Sequence, residues 1–167
     1  MKKNKMEIVI SILFIIYLIL LIWIILFKAS FSIDELENVR SINLIPFRNG
    51  VGNAIQKKEI MLNVEIFVPF GIYLCMLNYE LRFKVRVIFG VSFLLELFQY
   101  ILGIGRTDIT DLITNTCGGI LGIGSYYIAV KIFRRRERVN FIISIIATLF
   151  TIIMIVFIGV LASTYLH

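Results

Sequence analysis

The stretch from Glu96 to Gly122, ELFQYILGIGRTDITDLITNTCGGILG, sets six charged or amide side chains among residues apolar enough for a lipid bilayer. They are Glu96, Gln99, Arg106, Asp108, Asp111 and Asn115. A charged side chain at the centre of a membrane helix costs roughly 2.5–3.5 kcal/mol on insertion scales, so groups placed there are functional candidates by default. Glu96, Gln99 and Tyr100 are spaced i, i+3, i+4 and share one helix face. Asp108, Asp111 and Asn115 share another, which continues through Gly118, Gly122 and Ser125. Small residues four apart let helices approach closely in lipid. This face is therefore expected to pack into a bundle and to carry its carboxylates inward.

Three chemistries suit such a cluster. The first is structural: Asp108 as an N-cap, Asp111 favourable in the first helical turn, and Arg106 neutralising both. The second is ligand binding, with Arg106 and the amides and carboxylates holding a polar head group. The third is catalysis, with Glu96 or Asp111 as a desolvated general base. No nucleophile motif or phosphate loop accompanies that base. Three carboxylates could hold Mg²⁺ or Ca²⁺, but their spacing matches no known loop, so neither a metal nor another cofactor is expected.

The elements that must position these groups are membrane helices. The hydrophobic fraction is 59% and the mean hydropathy +0.94, beyond the roughly 45–50% apolar content of soluble domains. The net charge of +6 does not indicate a nucleic-acid partner, because the cations fall in short clusters between apolar runs. Cys75 and Cys117 lie in apolar runs without metal or CxxC spacing and read as small buried hydrophobes. The histidine, His167, stands at the last position, which leaves His-based metal or triad chemistry without ligands.

Five spans are expected in one domain over residues 1–167: about 8–27, 62–78, 85–104, 108–130 and 141–161. The first is a retained helix rather than a signal peptide, because its apolar core is too long and Lys28 follows it. Residues 28–61 form a polar external segment, long enough for an interfacial helix or a re-entrant piece, with a turn-like patch SINLIPF at 41–47. The second span contains Asn63, Glu65 and Pro69. Proline lacks an amide hydrogen, so Pro69 is expected to kink this helix and free the Glu65 carbonyl, unless the kink is mere packing and Glu65 sits at head-group level. Residues 106–108 read as a short turn. The first and fifth helices read as scaffold.

Placing the N-terminus in the cytoplasm puts eleven basic residues inside (Lys2, Lys3, Lys5, Arg82, Lys84, Arg86, Lys131, Arg134, Arg135, Arg136 and Arg138) against six outside. Five spans then leave the C-terminus outside. In this orientation Asn63, Glu65, Glu96, Asp108, Asp111 and Asn115 converge on one outward-facing pocket.

At these residues the chain resembles the VanZ family of Gram-positive bacteria. The resemblance rests on LIWIILFK (21–28), NLIPF (43–47), NVEIFVPFG (63–71) and the 96–122 stretch, with Glu96, Gln99, Asp108, Asp111, Asn115, Gly118 or Gly119, and Gly122 at the motif positions. It covers the first four helices; the remainder matches only in character. It implies resistance to teicoplanin, a lipid-tailed glycopeptide, without an altered peptidoglycan terminus. The expectation is thus an all-α, multi-pass plasma-membrane protein with the bilayer as partner. Its pocket would take teicoplanin or a lipid-linked peptidoglycan precursor. The alternatives are an enzyme modifying a lipid-linked or surface substrate, and a small transporter or complex subunit.

Overall fold

The computed structural model describes residues 5–26, 39–47 and 54–165. In order, the elements are α1 (Lys5–Leu26), β1 (Val39–Asn43), α2 (Ala54–Met76), α3 (Leu81–Leu102), β2 (Ile104–Asp108), α4 (Ile109–Phe133) and α5 (Arg136–Tyr165). The five helices are long and apolar enough to cross a membrane. Half of the external segment, with Lys28, Asp34, Glu35, Glu37 and Arg48, lies outside the described residues, as does His167.

Four helices begin earlier than hydropathy indicates: α1 at Lys5 rather than 8 and α3 at Leu81 rather than 85, and α2 and α5 by more. α2 starts at Ala54 rather than 62, because AIQKKEI joins good helix formers to the apolar run. α5 starts at Arg136 rather than 141 for the same reason. The larger departure is a pair of parallel strands, β1 and β2, in register from Val39↔Ile104 to Asn43↔Asp108. The all-α expectation describes the five helices and misses this ladder, where a turn-like patch and a short turn were expected. Parallel pairing leaves no local signal, since each strand's partner is supplied by the helices between them.

The centre of the bundle is the contact of α2 with α4. A Cβ built on Gly118 would stand 2.3 Å from the Val64 carbonyl oxygen, and one on Gly122 would stand 2.0 Å from that of Val68. In return, a Cβ on Gly71 would meet the Gly119 carbonyl oxygen at 2.0 Å. The two backbones therefore touch directly, the geometry that small residues permit in lipid. α3 closes on the same seam through Ile88, which covers Gly119. Its buried positions Lys84, Ile88, Ser92, Leu95, Glu96 and Gln99 recur at helical spacing. α1 packs Phe14 and Tyr17 against Phe70 and Tyr73 with ring centroids 5.4–6.4 Å apart. α5 meets the rest mainly along its first turns, through Val139 and Ser144.

Pro69 lies inside α2, which continues through it as one helix. The Tyr17 hydroxyl donates to the carbonyl of Ile66, next to the Glu65 carbonyl expected to be freed. An aromatic side chain of α1 thus serves the backbone where the proline weakens it.

Gly118→Ala and Gly122→Ala should lower the melting temperature of the detergent-purified protein, each by the upper part of the about 1–3 kcal/mol typical of overpacking. Gly124→Ala and Gly90→Ala, whose added methyl meets nothing within 4 Å, should match or exceed the parent.

Candidate functional site

Glu96 is 4% exposed near the C-terminal end of α3. Its carboxylate Oε2 accepts the backbone N–H of Asp108 at 2.9 Å, while its own carbonyl accepts the Thr107 hydroxyl at 3.0 Å. The end of β2 is thereby fastened to α3. Asp108 is the N-cap of α4, in extended conformation, with Oδ1 accepting the Thr110 amide at 2.8 Å. Its other oxygen accepts from the Asn43 side chain at 2.9 Å, and the Thr110 hydroxyl accepts the Phe47 amide at 3.1 Å. One carboxylate therefore joins β1, β2 and the start of α4.

One turn further, Asp111 Oδ1 accepts from the Asn63 side chain of α2 at 2.8 Å. Asn115, fully buried, donates to the Ser92 hydroxyl of α3 at 3.1 Å. Gln99 donates to the Ile25 carbonyl of α1 at 2.9 Å. Asp111 and Asp108 both act electrostatically on Glu96, and the N-terminal dipole of α4 offsets part of this concentration of negative charge. Two buried acceptors, Gln99 Oε1 and Asn115 Oδ1, meet no donor among the described residues. Buried polar atoms are nearly always paired, which sets these two oxygens apart from the rest of the cluster. No group of three or more His, Cys, Asp or Glu side chains able to hold a metal occurs among the described residues.

The structure thus brings Asn63, Glu96, Asp108, Asp111 and Asn115 into one cluster, with Gln99 beside it against α1. These groups are knitted into helix contacts rather than lining an open cleft. Glu65 departs from the expectation: it is exposed, on the side of α2 turned away from the Asn63–Asp111 bond. A residue two positions from Asn63 points about 200° round the helix, which carries it off the cluster's face. Pro69 is half-buried and deeper in α2. The backbone of Arg106 pairs with Ser41 in the ladder, while its side chain lies outside the described residues. Tyr100 and Ser125 are exposed, as is Cys117, while Cys75 is buried. Sequence reasoning missed Asn43, Ser92, Thr107 and Thr110. Ser92 carried a signal, standing one turn before Glu96 on the same face.

A second polar cluster occupies the opposite end of the bundle. Lys84, 3% exposed, donates to the Tyr127 hydroxyl at 2.9 Å and approaches Cys75 Sγ at 3.4 Å. Arg136 of α5 donates to the Cys75 carbonyl, to the Asn78 side chain and to the Tyr126 hydroxyl. It caps the C-terminal end of α2, where a cation is favoured, and ties α5 to α2 and α4. At this end too, an apolar crevice of about 400 Å³ separates α1 from α5, lined by Met6, Val9, Phe141 and Leu149 among others.

Comparison with known proteins places these residues in context. The family profile VanZ/LLP1 matches residues 14–134, which takes in the whole acidic cluster and the Gly118–Gly122 seam. Protein VanZ of Enterococcus faecium is 37% identical over 145 residues, covering 84% of this chain and 87% of that protein. No solved structure matches the chain.

Glu96→Leu leaves the Asp108 amide without its acceptor and should destabilise the purified protein by about 1–3 kcal/mol. Glu96→Gln keeps an oxygen for that amide and should unfold near the parent temperature. Thermal unfolding of both in one detergent checks the pair.

Proposed function

The chain belongs to the VanZ/LLP1 family, and from that premise we propose that it confers low-level teicoplanin resistance as a multi-pass protein of the bacterial plasma membrane. In this reading the acidic end faces outward, and the site there lowers binding of the drug at the cell surface. Orientation is supported by charge: Arg82, Lys84, Arg86, Lys131, Arg134, Arg135, Arg136 and Arg138 all sit towards the other end, which the positive-inside rule assigns to the cytoplasm.

The observation that carries the proposal is the assembly of Asn63, Glu96, Asp108, Asp111 and Asn115, from three membrane-length helices, at one end of the bundle. A site of this kind suits an amphipathic molecule: amide, hydroxyl or ammonium donors meet the carboxylates and the Gln99 and Asn115 amide oxygens, while an acyl tail stays in lipid. Teicoplanin and a lipid-linked peptidoglycan precursor both have this character. Gln99 and Arg106 are the residues proposed to contact the head group; Asp108, bonded to Asn43 and capping α4, holds the frame.

Labelled teicoplanin and vancomycin should be bound to cells expressing the parent or the Glu96→Gln, Asp111→Asn pair at matched protein level. The parent should selectively lower teicoplanin binding. Loss of one hydrogen bond to a charged group, about 1.5–3 kcal/mol, weakens a complex by roughly ten- to a hundred-fold, so the pair should restore drug binding. Equal lowering by parent and pair would reduce the carboxylates to caps and ion pairs. A membrane enzyme with Glu96 or Asp111 as base predicts instead that each single change abolishes protection, because an amide retains shape and loses basicity.

A further inference from the structure

The strand pair reaches further into the bundle than a surface hairpin would. Glu96 lies six residues before the end of α3 at Leu102, which at the helical rise is about 9 Å inside that helix. Asp108 bonds to Glu96 and the next turn of α4 bonds to Asn63, so β2 descends from the end of α3 to this depth before α4 begins. β1 runs parallel to β2 and ends on the same level, with Asn43 opposite Asp108. Residues 44–47 therefore stand alongside the interior of the span. There they present Leu44 at 70% exposure and Ile45 at 58%, flanked by exposed Ile42 and Phe47.

We propose that residues 42–47 form a re-entrant tip whose Ile42, Leu44, Ile45 and Phe47 contact phospholipid acyl chains beside the Glu96 cluster. The inference rests on the helices spanning a bilayer and goes beyond the resistance reading. Irregular backbone at membrane depth is tolerated where the main chain is held against protein, which leaves the side chains to face lipid. The tip's main chain is held to protein at two amides, Ile45 donating to Asn43 Oδ1 and Phe47 to the Thr110 hydroxyl, while Pro46 has no amide hydrogen. The preceding strand pairs with β2 along one edge. In water, four large exposed apolar side chains within six positions would be an error of patterning; against acyl chains they are the expected surface. The occupant is lipid rather than a protein because β1 lies against α3, whose outer face near the same end is equally apolar and exposed at Phe98 and Leu102.

The test is fluorescence quenching of the full chain in phosphatidylcholine–phosphatidylglycerol vesicles, with Trp23→Phe as background and a single Ile45→Trp probe. Lipids brominated in the upper acyl chain should quench this tryptophan strongly, with blue-shifted emission and little loss to aqueous acrylamide. Leu44→Trp repeats the reading if Ile45→Trp fails to fold. Ile153→Trp on α5, exposed in the structure, serves as the membrane control. Acrylamide quenching of both tip probes, with Ile153→Trp still quenched by brominated lipid, would overturn the re-entrant tip and leave the spanning bundle intact. Loss of lipid quenching at Ile153 as well would instead overturn the membrane reading on which the inference rests.

Discussion

The direct contact between the backbones of α2 and α4 is the constraint from which the rest of the arrangement follows. Lipid offers helices almost no hydrophobic gain on association, so contact must come from close packing and weak polar interactions between backbones. Gly71, Gly118 and Gly122 allow it: each presents a bare Cα to a carbonyl group of the opposite helix. Once these helices lie side by side in parallel, Asn63 falls on Asp111, roughly two turns of α4 before Gly118. Ile88 then sets α3 against the seam, and that in turn delivers Ser92 to Asn115 and Glu96 to Asp108.

Parallel neighbours need a connection that travels the length of the bundle and returns. α3 supplies the return, and β2 supplies the descent from its end to the start of α4. This leaves a buried helix N-terminus, with amides that lipid cannot satisfy. Asp108 caps one of them, Glu96 takes the amide of Asp108 itself, and β1 pairs the strand. Much of the acidic cluster is thus required by the topology before any ligand is considered. What the topology leaves without a partner among the described residues is the amide oxygen of Gln99 and that of Asn115.

The two ends of the bundle solve opposite electrostatic problems. At one end the dipole of the buried α4 N-terminus is met by carboxylates; at the other the C-terminal end of α2 is met by Arg136. The cation there also tethers α5, whose outer length is largely apolar and exposed. Charge asymmetry along the bundle axis therefore comes with structural roles at both ends, and it coincides with the asymmetry that sets membrane orientation.

Much was legible in the order of residues. Hydropathy sums over a window, so five helices of membrane length and their approximate places could be read directly, and helical period placed Asp108, Asp111, Asn115, Gly118 and Gly122 on one inward face. Residues whose role depends on a distant partner could not be read in this way. Asn43 and Thr110 are ordinary turn and cap residues until β1 meets β2, Tyr17 is one more apolar-face aromatic until Pro69 disturbs α2, and Lys84 and Arg136 look like loop cations until they bind tyrosines and a helix end. Glu65 shows the converse, a carboxylate in a suggestive stretch that the rotation of α2 turns away from the cluster. Local sequence determined which segments are helices and which of their faces are small or polar, because those properties repeat every few residues. Only the tertiary structure decided the strand pairing and the hydrogen-bond partners, because these depend on the depth at which helices far apart in the chain come into register.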